Sequence, residues 1–375
     1  MKIQPLIPQI QAENNKKERP QFTGFTDYAT LGLRFLDTNQ AWGANAVDLG
    51  SMVIPRTAVD MANRGPAAGM ETGRREASGT INHSLVGVYG TIAGLLLATS
   101  LNSKYGIKAH KLFIDDDTLE LLGKAWDKQV KAGNANPLDA YLKDVFKNAE
   151  TRVGEEWKSI PEDKINDIVK RYSEAIKAQD APTTISKDLK AYAKSVIMGS
   201  TGSENSFRLA KNQETNSISN ILDNIYNASR TFVNKKVSDT FKASSDINSN
   251  AFIKALKHMN LRRSMLGIGI ASAVGMSIQP LNIYITKKKT GSDGFVGVEG
   301  REKDNSKAFK VMKAAAAAIF GTGIIATIGT KGGLKGLAKK IQFKGLIPTL
   351  DQFKFIYGVT IMSRFAVARD KDELR

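Results

Sequence analysis

The chain has 375 residues, 42% of them hydrophobic, with a mean hydropathy of −0.26 and a net charge of +17; at about 150 residues per domain it has room for two or three units and is too polar to lie in a membrane throughout. Cys is absent, which excludes disulfides, thiolate metal sites and a Cys nucleophile. The charge divides as +3 over residues 1–110, zero over 111–250 and +14 over 251–375, so the basic character belongs to the last third.

Residues 1–25 read as a disordered tail. Ile3, Leu6, Ile7 and Ile10 are interrupted by Pro5 and Pro8 and followed by a polar stretch, which is not the pattern of a secretory leader. Residues 26–80 read as a juxtamembrane segment, with Leu31, Leu33, Phe35, Leu36 and Trp42 for packing and Pro55, Gly65-Pro66 and Gly73 as breaks. Its dense patch of Arg56, Arg64, Glu71, Arg74, Arg75 and Glu76 has the chemistry to hold phosphate or carboxylate bidentately. The plainer expectation is a solvated face beside the membrane.

Three long stretches carry no formal charge: Ala77 to Ser103 (27 residues), Ser264 to Thr286 (23) and Ala314 to Thr330 (17). A bilayer core of roughly 30 Å takes about 20 residues of helix. The first predicts a transmembrane helix over 81–103 and the second one over 261–286, despite Gln279, Pro280 and Asn282, whose polar groups need a neighbour. The third, at 314–330, just reaches spanning length. Gly90, Gly94 and Ala98 in the first run, and Gly267, Ala271 and Gly275 in the second, are spaced by four and form grooves through which helices approach closely. A helix-mediated oligomer through Gly90, Gly94 and Ala98 is one expectation; packing within the chain is the other.

Between the first two runs, residues 104–260 read as a soluble, charge-balanced helical domain. Asp115-Asp116-Asp117 precedes the stripe Leu119, Leu122, Trp126 and Val130, as acidic residues do at a helix start. Pro137 opens Leu138, Tyr141, Leu142 and Val145; Pro161 opens Ile165, Ile168, Val169, Tyr172 and Ile176. Two further stripes, Leu189–Tyr192–Val196 and Ile218–Ile221–Leu222–Ile225, follow, with almost no strand alternation. A small bundle accounts for this pattern. The expected fold class is therefore mainly α: a helical membrane protein with a central soluble helical bundle.

Residues 287–313 read as a Gly-rich basic loop and 331–375 as a basic amphipathic C-terminal region. In Lys331 to Lys344, Leu334, Leu337, Ala338 and Ile341 share one helical face, while Lys335, Lys339 and Lys340 largely occupy others. Such a helix lies in the membrane interface. Basic residues crowded against apolar runs, here also Lys287, Lys288 and Lys289, favour anionic lipid headgroups at about 1 kcal/mol each. With Arg262 and Arg263 before the second run and Lys287 to Lys289 after it, the positive-inside bias cancels.

Several motif-like strings carry little. The acidic triplet lacks the alternating ligands of a calcium loop, and Lys371-Asp372-Glu373-Leu374 is followed by Arg375, so it is no retention signal. Gly291, Gly294, Gly297 and Gly300 lack the Pro of collagen, and Gly329-Thr330-Lys331-Gly332-Gly333 lacks the order of a phosphate loop. His83, His110 and His258 are far apart in sequence and have no metal-ligand spacing, so no catalytic, metal or cofactor residues are assigned. The expectation is a membrane protein, multi-pass rather than single-pass, acting as a non-enzymatic scaffold or interaction protein with anionic lipids as partners. The alternatives are a soluble basic protein binding nucleic acid through 251–375 and an enzyme acting on a phosphorylated or lipid substrate.

Overall fold

The computed structural model describes residues 40–374 except 135, 179–180, 204, 212, 214–215, 292–295, 297–302, 330–332 and 344–347. The expected N-terminal tail and ten residues of the expected Gly-rich loop, 292–295 and 297–302, lie outside these residues; the two ends of that loop belong to helices, up to Thr290 and from Lys307. Helix makes up 77% of the structure, in keeping with a mainly α chain.

α1 (Gln40–Asp48) runs through a π-turn at Leu49–Val53 into α2 (Ile54–Arg64). Gly65, at φ 93°, adopts a backbone closed to most side chains and turns the chain back into α3 (Pro66–Ser84). The hairpin is tight because Gly69 faces α2: a Cβ there would lie 2.6 Å from that of Met61. α3 ends at Leu85, and α4 (Val86–Leu97) continues at an angle of 49°. The helix expected over 81–103 is thus the second half of a longer, bent element that begins at Pro66. The Tyr89 hydroxyl donates to Asn82 Oδ1 (2.9 Å) across the bend.

After α5 (Thr99–Tyr105) the chain enters the domain expected over 104–260. α6 (Asp116–Lys131) is capped by Asp115, whose carboxylate accepts from Thr118 N (3.1 Å), with Asp116 and Asp117 in the first turn where the helix dipole favours them. The acidic triplet is a helix start. α7 (Pro137–Asn148), α8 (Glu162–Lys177), α9 (Lys187–Thr201), α10 (Ile218–Phe232) and α11 (Lys235–Ala243) surround one core. Trp126, Tyr141 and Phe232 meet there, the first two edge to face at 5.4 Å. Each such buried side chain contributes on the order of 1.5–3 kcal/mol. The sequence reading leaves out a small antiparallel sheet in the order β2–β1–β3–β4, with β1 Glu150–Val153, β2 Glu156–Ser159, β3 Ser206–Arg208 and β4 Asn216–Ser217. Its strands, two to four residues long, are too short to show alternation.

α12 (Ala251–Thr290) joins this domain to the rest. At 1.5 Å per residue its 40 residues extend about 60 Å. Phe252, Ile253, Leu256 and Met259 belong to the domain core, and beyond Asn260 the helix leaves it. α3–α4 lies antiparallel along the remainder: Thr286 meets Glu71 and Arg74, Asn282 meets Ser78, Ala271 meets Asn82, and Gly267 meets Gly90. α13 (Lys307–Ile328) returns toward the domain, α14 (Gly333–Lys340) turns there, and α15 (Leu350–Val367) runs back, packed against both α12 and α13. The short α16 (Lys371–Leu374) follows. Two helices, α12 and α13, are long and apolar enough to cross a membrane; counting the bent α3–α4 pair gives three.

The two parts of the molecule differ in what they expose. Among the described residues, Val233 is the one large hydrophobic that 104–260 exposes, whereas the helices outside it expose Ile81, Val88, Ile92, Leu95, Leu96, Met265, Val274, Met276, Leu281, Val311, Ile319 and Ile325. Between one another these helices bury an apolar cluster of Val86, Ile268, Ala271, Phe343 and Ile356 together with many polar groups: Glu71, Arg75, Asn82, His83, Arg263, Gln279, Asn282, Thr286, Gln352, Thr360 and Ser363.

Candidate functional site

The buried polar groups form layers along α12. At its C-terminal end Glu71 and Arg75, each 6% exposed, pair at 2.6 Å. Glu71 also accepts from the Thr286 hydroxyl and from Val296 N (2.6 Å). Arg74 donates to Thr286 Oγ1 (2.9 Å) and to the Asn282 carbonyl (3.3 Å). One turn along α3, Glu76 takes both Nη atoms of Arg364 (2.9 and 2.5 Å) and one of Arg56 (3.0 Å). Arg369 and Glu373 close a third pair, with Nε 2.8 Å from Oε1. Charges that are remote in sequence thus converge on one cavity of about 400 Å³, walled by α2, α3, α12, α13, α15 and α16.

In the middle layer His83 Nε2 lies 3.2 Å from Thr360 Oγ1, with its ring 5.2 Å from each ring of the stacked pair Phe353 and Tyr357. Asn82 donates to the Ala271 carbonyl (3.2 Å). At the junction with the domain sits Arg263, 0% exposed, donating to Asn260 Oδ1 (2.9 Å) and stacked over Phe113 at 4.5 Å. Among the described residues its Nε and Nη1 have no hydrogen-bond partner. On the domain side of this seam, hydrogen bonds from Lys124 and Lys257 hold the Glu120 carboxyl down to about 2, while burial pushes that of Asp116 up.

The anion-binding residues expected from sequence fall in different places. Arg75 lines the cavity and Arg74 stands behind it, so this part of the Arg/Glu patch is an internal packing element rather than a solvated face. Lys287, Lys288 and Lys289 are exposed at the end of α12. Lys339, beside the domain, pairs with Asp117 at 2.9 Å, and Lys340 is half-buried; the side chain of Lys335 lies outside the described residues. The Gly90–Gly94–Ala98 face is filled from within the chain, Gly90 by Phe343 and the Gly267 backbone and Gly94 by Arg263.

Sequence reasoning misses Arg364, Arg369 and Glu373. Arg364 stands alone in an otherwise uncharged run from Phe355 to Ala368, a signal of a buried partner that the basic surroundings hide. Among the described residues, no three His, Asp or Glu side chains converge as a metal site would require. Comparison with protein-family models, curated proteins and solved structures finds no match.

Proposed function

We propose that the chain is a multi-pass integral membrane protein: α3–α4, α12, α13 and α15 form a bundle in lipid, and residues 104–260 stand on one side as an interaction or scaffold domain. The observation that carries this reading is the large set of apolar side chains that the bundle helices expose. In water each exposed Ile, Leu, Val or Met would forgo roughly 1.5–3 kcal/mol of burial, and a contiguous apolar surface of this kind marks a membrane or partner contact. In lipid the same surface is at home, and contacts such as Glu71–Arg75, Glu76–Arg364 and Asn82 with the Ala271 carbonyl pair polar groups within the bundle. The stretch from Ser264 to Thr286, 23 residues or about 34 Å, also matches a hydrocarbon core of roughly 30 Å. The basic residues then gather at the two ends of the bundle, beside headgroups.

The intact protein, expressed without detergent, is expected to remain in the pellet after alkaline carbonate washing and high-speed centrifugation. Complete recovery in the soluble fraction would overturn the proposal.

A further inference from the structure

Residues 111–250 balance their charges overall, yet one cavity on the domain is walled by cations. It measures about 260 Å³ and opens between the 3-10 turn Ala109–Lys111, the end of α8 and the passage from α10 to α11. Lys108, Lys111 and Arg230 line it, and none of the described lining residues is acidic. Lys111 donates to the Thr183 hydroxyl (2.7 Å), a neutral acceptor; among the described residues no carboxylate pairs with any of the three cations. Counting the formal charge of Asp180, which lies outside the described residues, still leaves the balance positive. Beside the cavity, Lys235 and Lys236 are exposed in the first turn of α11, where the helix dipole disfavours cations.

Two further observations point to what the cavity takes. Asn227, 8% exposed, lines it, and its Oδ1 has no hydrogen-bond partner among the described residues. An unpaired buried amide is unfavourable, and a carboxamide offers both an acceptor and two N–H donors, so it can meet a hydroxyl or a phosphate oxygen. The cavity also sits where the apolar surface of the bundle ends. A Cβ on Gly94 would lie 3.5 Å from the His110 carbonyl oxygen, which places the turn carrying Lys111 against the last turn of α4, next to the exposed Leu95 and Leu96. Val233, the one large hydrophobic that the described residues of the domain expose, lines the same cavity.

We infer that this cavity takes the headgroup of one net-anionic, hydroxyl-bearing phospholipid at the membrane surface, its phosphate among Lys108, Lys111 and Arg230 and its hydroxyl at Asn227. This inference rests on the membrane reading. The ammonium of a zwitterionic headgroup would meet three cations and no described carboxylate. A soluble phosphate ester shares the chemistry of the phosphate but has no use for Val233 or for a place at the end of α4. The volume suits a headgroup rather than a larger ligand.

The test uses the full-length chain, purified in neutral detergent, transferred to nanodiscs of phosphatidylcholine doped with phosphatidylglycerol, and released for native mass spectrometry. The wild type should retain phosphatidylglycerol with a preference of at least about tenfold over phosphatidylcholine. Lys111→Gln together with Arg230→Gln should lower the number of preferentially retained molecules by one, and so should Asn227→Leu alone. The melting temperature in phosphatidylcholine should stay at the wild-type value for the first and at or above it for the second, which removes an unpaired polar group. Lys158→Gln together with Lys254→Gln takes the same charge from exposed positions that do not line the cavity and should leave retention unchanged. A variant that fails to fold leaves the other to decide. No preference in the wild type overturns the inference, as does an unchanged number in whichever cavity variant folds. An equal loss in the Lys158 and Lys254 variant would also overturn it, assigning retention to net charge alone. Displacement of the lipid by millimolar glycerol 3-phosphate would do the same, assigning the site to a soluble phosphate ester. In each case the chain still partitions into the membrane, whereas failure of the membrane reading shows earlier, as a protein that needs no detergent.

Discussion

Arg263 is a guanidinium with no exposed surface, one hydrogen bond to Asn260, one aromatic face below it and, among the described residues, two nitrogens without acceptors. Removing a charge from water costs several kcal/mol, and an Asn oxygen with a Phe ring offsets only part of that. Replacing a buried ion by an apolar side chain of similar volume is commonly neutral or stabilising. Arg263→Met is therefore expected to leave the thermal midpoint in detergent unchanged or to raise it by a few degrees, corresponding to about 1 kcal/mol or more. A loss of more than about 2 kcal/mol would mean that the guanidinium has an anionic partner in the folded protein. The sequence marks Arg263 as a basic residue flanking an apolar run, and its position four residues after Met259, the last core residue of the domain, is what buries it. Nothing in local composition separates it from Arg262, which faces outward.

At the scale of elements, apolar runs free of charge are legible and the helix made between charges is not. α12 and α13 coincide with two of the three uncharged stretches. α15 is a helix with a full capping box, Thr349 with Gln352, but Asp351, Lys354 and Arg364 interrupt its apolar pattern. The sequence therefore reads it as part of a basic amphipathic C-terminal region over 331–375, whereas it packs between α12 and α13, where Thr360 faces His83 and Arg364 faces Glu76. The glycine grooves are legible as close-approach sites, and their occupant is not: it is Phe343, some 250 residues from Gly90, held by donation of its N–H to Ser264 Oγ (3.1 Å). A Cβ on Gly90 would lie 2.6 Å from the Phe343 ring and one on Gly267 2.8 Å from it. Overpacking of this kind typically costs about 1–3 kcal/mol. Gly90→Val should lower the melting temperature of the detergent-solubilised protein, and Phe343→Leu in the same chain should restore part of the loss. Gly269→Val, where a Cβ meets nothing within 4 Å, serves as the control for helix propensity and should cost less than 1 kcal/mol. Equal losses at Gly90 and Gly269 would remove Phe343 from the crossing.

In the whole molecule, successive elements of the bundle alternate in direction. α3–α4 leads toward the domain, α12 away from it, α13 back and α15 away again, so four elements cross the same layer in alternating sense. The domain is inserted between the first two on one side, and the start of α3 shares the other side with the end of α15 and with Lys287 to Lys289. An up-down bundle of this kind follows from short connections between neighbours. Under the proposed membrane reading it also sets which surfaces share an aqueous compartment. Because the protein has no Cys of its own, single cysteines report that arrangement without background. The most direct measurement is labelling of Ser245→Cys, Lys288→Cys, Val274→Cys and Ile319→Cys in sealed, uniformly oriented vesicles with a membrane-impermeant maleimide. Ser245 stands on the exposed surface of the domain, Lys288 at the opposite end of α12, and Val274 and Ile319 on the apolar outer face of the bundle. One of positions 245 and 288 should label from outside and the other only after the vesicles are opened, while 274 and 319 should stay unlabelled in both cases until detergent dissolves the membrane. Labelling of 274 and 319 at the rate of 245, or of 245 and 288 together from the same side, would contradict the account.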